Sequence, residues 1–486
     1  MAMLELGIDK WAEQNFGECE LGDARRTKRA VKFAAQVAAD PDGSTPAQTE
    51  VWADCKAAYR LFDRDDVTFR ALCEPHWQLT RARSGGTWLL IGDTTEISFS
   101  LQRDVSGLGP TGDGVGQGFL LHSSLMIDDE SDEIAGLAGA DLYHRQPVPE
   151  GETLTQKKNR DRESEVWGRV IGLVGPPPKS TRFIHVFDAG ADNFEVFCHL
   201  QIQQCEWVVR AAQKHRIVLD AEGSRMPLSK LIEQQPSAGT YELSLRARKG
   251  HPPRTAMIEV RFAPLRMPLP DRTTPFMKQS GITDIPMWAV EAREVNAPKN
   301  VEPLNWLLLT SEPVEKFDDA WIVIGRYEKR PIVEDYHKCI KTGCRVEQRQ
   351  YQTSERLERV TGLLSVVGVR LLQLKFVART DPDRPAARVV PQPWLRMLKV
   401  IRKGRHQINT ASSFDRWPCW EVSSDAKATA NRDGSLSGAA SINFYCVSAE
   451  RTPCVENVGN SEVATPGATR PGGTKLKDSI ASAVVD

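Results

Sequence analysis

The chain reads as an α/β protein, with a strand-and-helix core preceded by a small helical domain and interrupted by a β-rich segment. Three observations predict this. Apolar runs of strand length recur at 87–93, 182–188, 207–210 and 306–310, and the first two end in an aspartate. Helical patterns such as 163–174 lie between them. Short alternating runs rich in proline and arginine occupy 225–300. Strands alternating with helices suggest a layered sheet, in which functional groups gather at the carboxyl ends of strands.

Residues 1–75 are expected to be helical. Arg25, Arg26, Lys28 and Arg29 open an amphipathic run over 30–39, residues 41–46 have turn composition, and a second helix covers 52–62. Basic residues on a small helical domain suit contacts to DNA phosphates; a solvated helix face accounts for the charge equally well. The core, 76–380, carries the strands with Asp93 and Asp188 at their ends, the β-rich insertion at 225–300, a helix pattern at 333–341 and a long apolar helix through 357–376. The C-terminal region, 381–486, is expected to be irregular and partly disordered. Its stretch 411–486 is rich in Ser, Ala, Thr and Gly with no sustained helical period.

The 486 residues suggest two or three domains, and 40% hydrophobic with 26% charged residues suits a soluble chain with a sizeable core. The net charge of −1 does not mark a nucleic-acid binder, but net charge does not decide local patches. One such patch, 246–278, holds Arg246, Arg248, Lys249, Arg254, Arg261, Arg266, Arg272 and Lys278 against only Glu259 and Asp271. Ten scattered cysteines with no CxxC pair read as reduced thiols. With no signal peptide and no apolar stretch of membrane-spanning length visible, a cytoplasmic location is expected, away from any membrane.

An aspartate ending a buried apolar strand is poorly explained by packing, because a charge there must be paired, hydrogen-bonded or bound to metal. Two such residues and a distant glutamate suggest a hard-metal site, since carboxylate oxygens suit magnesium or manganese. Tyr327, Arg330, Glu334 and Lys341 are separated by three, four and seven residues, which places them on one face of a single helix. One acid among two cations and a tyrosine suits a metal that bridges a DNA phosphate; an exposed ion-paired helix has the same spacing.

Ordered motifs then resemble a known family. Leu21-Gly-Asp-Ala-Arg-Arg26, Ala58-Tyr-Arg60, Gly92-Asp-Thr-Thr95, His122-Ser-Ser124, Asp188-Ala-Gly-Ala-Asp192, the long stretch 303–314, the Tyr327/Arg330/Glu334/Lys341 signature, Leu357-Glu-Arg-Val360 and Val369-Arg-Leu-Leu-Gln373 follow one another as in the bacterial cut-and-paste DDE transposases of the insertion-sequence-four family. The resemblance covers about residues 16–374. It implies a ribonuclease H-like catalytic core with Asp93, Asp188 and Glu334 as catalytic and metal-binding triad for two Mg2+ ions, Mn2+ substituting. It also implies DNA contacts by Arg25, Arg26, Arg29, Arg210, Trp306, Tyr327, Arg330, Lys338 and Lys341. The activity it implies is nicking at transposon ends, hairpin formation and opening, and strand transfer into target DNA, by a homodimer assembled on double-stranded DNA if the C-terminal region functions.

Two departures qualify that expectation. Pro331 stands where a family member carries a tryptophan that stabilises a flipped base. Lacking an N–H, Pro331 predicts a helix start or a kink. Beyond about residue 402 the resemblance stops, and one alternative reading frame over 417–436 spells family-like text. A frameshift near 400–416 is therefore the sharper reading of the tail, tested by the nucleotide sequence. A chain with that tail lost could instead be an impaired remnant that binds transposon ends, or inhibits transposition, without completing it.

Overall fold

The computed structural model describes residues 7–103, 105–145, 162–245, 252–299 and 301–381, and the isolated positions 151, 153, 383, 385, 453 and 454. The expectations for 386–452 and 455–486, and for Arg246, Arg248 and Lys249, lie outside these. Two compact units emerge, Met1–Trp207 with Ile332–Ser437 and Val208–Pro331 with Gly438–Asp486.

The first unit opens with five helices, α1 (Ile8–Phe16), α2 (Ala24–Ala39), α3 (Thr45–Gln48), α4 (Trp52–Leu61) and α5 (Phe69–Arg81). Sequence dictates their ends. Asp23 caps α2 by accepting from the Arg25 amide, and Ser44 and Thr68 do the same for α3 and α5. The expected turn at 41–46 thus gives way to a helical turn at Thr45, two residues earlier than its composition suggests. Phe33, Ala34 and Val37 bury one face of α2, and Phe33 meets Phe62 edge-on.

A mixed sheet follows: β1 (Thr87–Phe99), β2 (Gly109–Thr111), β3 (Gly116–Asp128), β4 (Ile134–Tyr143) and, after α6 (Glu165–Val174), β5 (Arg182–Phe187) and α7 (Phe194–Ile202). β1 runs antiparallel to β3 along its whole length, β3 pairs with β4 and with the short β2, and β5 joins β1 in parallel through Thr87↔Arg182 to Ile91↔Val186. The strand order is therefore β5-β1-β3-β4. Here one expectation is corrected: β1 does not end at Asp93 but continues to Phe99. Pairing with β3 extends it, whereas the parallel pairing stops at Ile91, so Asp93 lies just beyond that parallel ladder.

The second unit takes the last three residues of β6 (Glu206–Arg210) and adds β7 (Ile217–Leu219), β8 (Arg225–Pro227), α8 (Leu228–Glu233), β9 (Gly239–Leu245), β10 (Arg254–Pro268), α9 (Pro275–Ser280), β11 (Asp284–Val295), β12 (Asn305–Thr310) and α10 (Phe317–Glu328). β9, β10, β11, β12 and the end of β6 form an antiparallel sheet. The basic patch is partly neutralised within it, where Arg254 pairs with Glu294, Arg261 with Glu259 and Arg266 with Asp284.

The chain returns to the first unit with α11 (Ile332–Lys338), a π turn at Cys339–Gly343 and the 27-residue α12 (Ser354–Thr380). The single helix expected through Tyr327, Arg330, Glu334 and Lys341 is thus corrected to two. α10 ends at Glu328, and Lys329 and Arg330 close tight turns onto the Arg326 and Tyr327 carbonyls. Pro331 has no N–H with which to continue the α-helical ladder. A second correction concerns α12, which is long and apolar enough to cross a membrane, contrary to the sequence expectation. It is a core helix: 94% of its apolar window is buried inside the protein, where Leu357, Leu363, Leu364, Val367 and Leu371 are enclosed. Each such side chain contributes roughly 1.5–3 kcal/mol on burial. Cys19, Cys55, Cys73, Cys198, Cys205, Cys339 and Cys344 are all buried, and burial pushes the thiols of Cys19 and Cys205 up to about 12, which keeps those two inert.

Candidate functional site

The acids in the first unit are placed by the sheet. The parallel β1–β5 ladder ends at Ile91↔Val186, and Asp93 and Asp188 each follow two residues beyond that last pair, Asp93 still within β1 and Asp188 just after β5. Both are partly exposed. Asp93 lies one residue past Gly92, and its Oδ1 accepts from the Thr94 amide at 2.9 Å. Asp188 follows β5 directly and caps a 3-10 turn, its Oδ1 accepting from the Gly190 amide at 2.9 Å.

An aromatic floor fixes these two backbones. Trp167 of α6 meets Phe187 and His122 edge-on at 4.7 and 4.4 Å between ring centres. A Cβ on Gly92 would come within 2.5 Å of the Phe187 ring and 3.3 Å of Trp167, so only glycine fits there without movement. His122 Nδ1 bonds Thr94 Oγ1 at 2.8 Å, linking the floor to the residue after Asp93. Burial lowers the His122 pKa to about 3, so the ring is neutral.

Glu334 comes from the far end of the sequence. It lies in the first turn of α11, which packs on β1 and β3. One turn on, the Nδ1 of buried His337 is 3.9 Å from Asp93 Oδ2. Asp335, the adjacent acid, is engaged by Lys375 at 2.8 Å, Arg379 at 3.5 Å and Lys338 at 3.9 Å, which marks it as a structural acid. Lys338 is half exposed. Lys341, on the π turn, donates to the Glu96 carbonyl of β1 at 2.8 Å and lies 3.3 Å from Glu347. Such π turns recur at functional positions because they re-aim side chains. Asp93, Asp188 and Glu334 therefore belong to one compact unit, in which both β5 and α11 contact the strand that carries Asp93. Among the described residues, no group of three or more His, Cys, Asp or Glu side chains is placed so that it could hold a metal ion.

Four sequence-derived residues belong to the second unit. Arg210 ends β6, paired with Leu308 of β12. Trp306 is the second residue of that strand and packs edge-on against Tyr327 at 5.2 Å, both residues being buried. Arg330 is buried next to Pro331. In the helical domain Arg25 is 90% exposed and pairs with Asp23 at 2.8 Å. Arg26 donates to the Leu21 carbonyl at 2.9 Å and to Asp66 at 2.6 Å, and Arg29 and Lys32 both reach Asp54 at 2.7 Å. The Lys32 and Arg29 hydrogen bonds lower the Asp54 pKa to about 2.

Residues 8–67 match the transposase DNA-binding family. The matched segment runs from α1 through α4 to the loop before α5, and contains Arg25, Arg26 and Arg29. DNA is therefore the partner of this domain. Of these cations Arg25 presents its guanidinium to solvent, while Arg26 and Arg29 also brace the domain.

Sequence reading missed His337, Trp167 and Phe187. The spacing of His337, three residues after Glu334, carried a signal, since residues three apart share a helix face. The aromatic pair carried none, because α6 and β5 meet only in the folded chain.

Proposed function

We propose that the chain is a DNA transposase that cuts and joins DNA at a three-carboxylate site formed by Asp93, Asp188 and Glu334. The observation that carries this is the location of a transposase-type DNA-binding segment in the same compact unit as two aspartates that each follow the end of one parallel strand pairing and the glutamate-bearing helix packed on their sheet. The strand order β5-β1-β3-β4, an antiparallel meander with one parallel strand beside its first member, supports the ribonuclease H-like reading of this core, and the insertion-sequence-four reading rests on the ordered motifs.

Carboxylate oxygens are the donor type a hard divalent cation takes, and all three side chains are partly exposed. Asp93, Asp188 and Glu334 would hold two magnesium ions, or manganese. Those ions, when bound, supply activation of the attacking oxygen and charge stabilisation on the leaving one. The protein's own contribution is placement. Gly92 and Phe187 fix the strand spacing, the Thr94 and Gly190 amides orient the carboxylates, and the Lys341 ammonium brings positive charge beside β1. Lys338, and in the second unit Arg210, Trp306, Tyr327 and Arg330, are assigned to DNA contacts on the family resemblance. Nicking, hairpin formation, hairpin opening and strand transfer are each in-line substitutions at phosphorus, so one such site serves all four. A homodimer on DNA and a cytoplasmic location belong to this proposal.

The test is Glu334→Gln, assayed on duplex DNA selected for binding, with Mg2+. The variant keeps shape and loses the charge that holds a cation. Because a metal supplies several kcal/mol to the transition state, cutting should fall by ~10²-fold or more while binding persists. Retained cutting overturns the assignment.

A further inference from the structure

Arg349 is buried at 4% exposure, just after a 3-10 turn, Val346–Gln348, that follows the π turn of the Glu334 segment. Its guanidinium spends five N–H contacts on four neutral acceptors. Nε and Nη2 donate to the Cys344 carbonyl at 3.1 and 2.8 Å, Nη2 also to the Pro41 carbonyl at 2.7 Å, and Nη1 to the Gly43 carbonyl at 2.6 Å and Gln48 Oε1 at 3.1 Å. Cys344 caps the π turn that continues α11, whereas Pro41, Gly43 and Gln48 belong to the matched DNA-binding segment.

The joint is built on both sides. Arg345 adopts a left-handed backbone (φ 47°), uncommon for a residue with a Cβ, and its side chain reaches Asp42 at 3.4 Å. Tyr351 shares a hydrogen bond with Thr45 at 3.0 Å and packs on Tyr59 and Phe62. A buried guanidinium whose hydrogen bonds all go to carbonyls, with Asp40 and Asp42 acting on it only through space, is costly to keep for stability, and we read it as a device that selects one arrangement. All five donors are used only when the 41–48 loop sits at one place on the Cys344 end.

We propose that Arg349 is a positioning residue that fixes the register of the DNA-binding domain against the Glu334 segment, and so sets which phosphodiester the carboxylate site meets. This rests on the proposed cutting activity. Lysine keeps the charge but has no planar fork, so it cannot hold all four acceptors in one geometry.

The experiment uses the full chain and a duplex selected for binding from a randomised pool. It compares the parent with Arg349→Lys by gel shift, hydroxyl-radical footprint and Mg2+-dependent cut mapping at nucleotide resolution. The expected result is affinity within about threefold of the parent, since the phosphate contacts remain. The cuts should scatter onto neighbouring phosphodiesters, with the main product down about tenfold or more, as displacement on the order of 1 Å does to a reaction. The footprint edge on the side where the cuts fall should blur. Cuts and footprint edges at the parental positions, at any rate of cutting, overturn the proposal. If Arg349→Lys does not fold, the double variant Asp42→Asn/Thr45→Val loosens the same joint and is judged by the same two outcomes. Should the parent bind but not cut, the functional reading fails, and the footprints alone decide Arg349.

Discussion

Gly92→Ala is the most direct probe of how the two aspartates are held. The new methyl would stand 2.5 and 2.8 Å from two Phe187 ring carbons and 3.3 Å from Trp167. Carbon atoms prefer ~3.5–4.0 Å, so the Phe187 ring must retreat by about 1 Å. It has no free path, because Trp167 lies edge-on against it at 4.7 Å. Overpacking of this kind costs ~1–3 kcal/mol of stability, which denaturant unfolding measures. The functional cost should be larger. Gly92 precedes Asp93 and Phe187 precedes Asp188, so the strain separates both carboxylates, and a displacement on the order of 1 Å costs ~10²-fold in rate. Trimming the ring with Phe187→Leu in the same chain should recover part of both losses, giving a favourable coupling of about 1 kcal/mol or more in a double-mutant cycle. Gly92→Ala with parental stability and cutting, or a cycle without coupling, would refute the packing argument.

Other expectations follow from the helical domain and the buried histidines. Arg25→Ala should leave stability within ~0.5 kcal/mol, the usual range for a surface site, and lower the salt slope of DNA binding by about one; an unchanged slope removes Arg25 from the phosphate contacts. Arg26→Ala should instead destabilise the domain by ~1 kcal/mol, because the Leu21 carbonyl and Asp66 both lose their donor. His76, buried between Asn15 and the Leu137 amide, has its pKa lowered by burial from 6.5 to about 3. The unfolded chain therefore binds this proton first. The stability it protects is complete above pH ~6.5 and declines as pH falls toward 3, by ~1.4 kcal/mol per unit. His76→Gln should flatten that decline, and an equally steep acid limb in the variant would exclude His76 as its source.

The parts of this protein that a reader can find in its sequence are those set by local chemistry. The apolar run before Asp188 stops where the strand does, and Asp23, Ser44 and Thr68 announce helix starts. The break after Arg330 follows from one missing N–H on Pro331. What escaped reading was set by distant partners. Asp93 falls inside its strand because β3 keeps pairing to Phe99, a fact absent from residues 87–93 themselves. Tyr327 through Lys341 have helix-face spacing but share no continuous axis, because the chain breaks at Pro331 and Tyr327 and Glu334 fall in different units. Arg349 looked like any basic residue in a polar stretch, since its acceptors at Pro41, Gly43 and Gln48 lie some 300 positions away.

The discontinuity of the first unit also sets an order in time. A ribosome adding roughly 5–20 residues per second delivers the matched DNA-binding segment and both aspartates early, and then makes the whole of 208–331 before Glu334 exists. Between Asp188 and Glu334 that delay is about 7–30 s. Arg349 and α12, which close the joint and the core, emerge later still. On the proposed reading, a half-made chain that ends before Glu334 lacks the third carboxylate, and the residue that would aim the site, Arg349, is added only after that carboxylate.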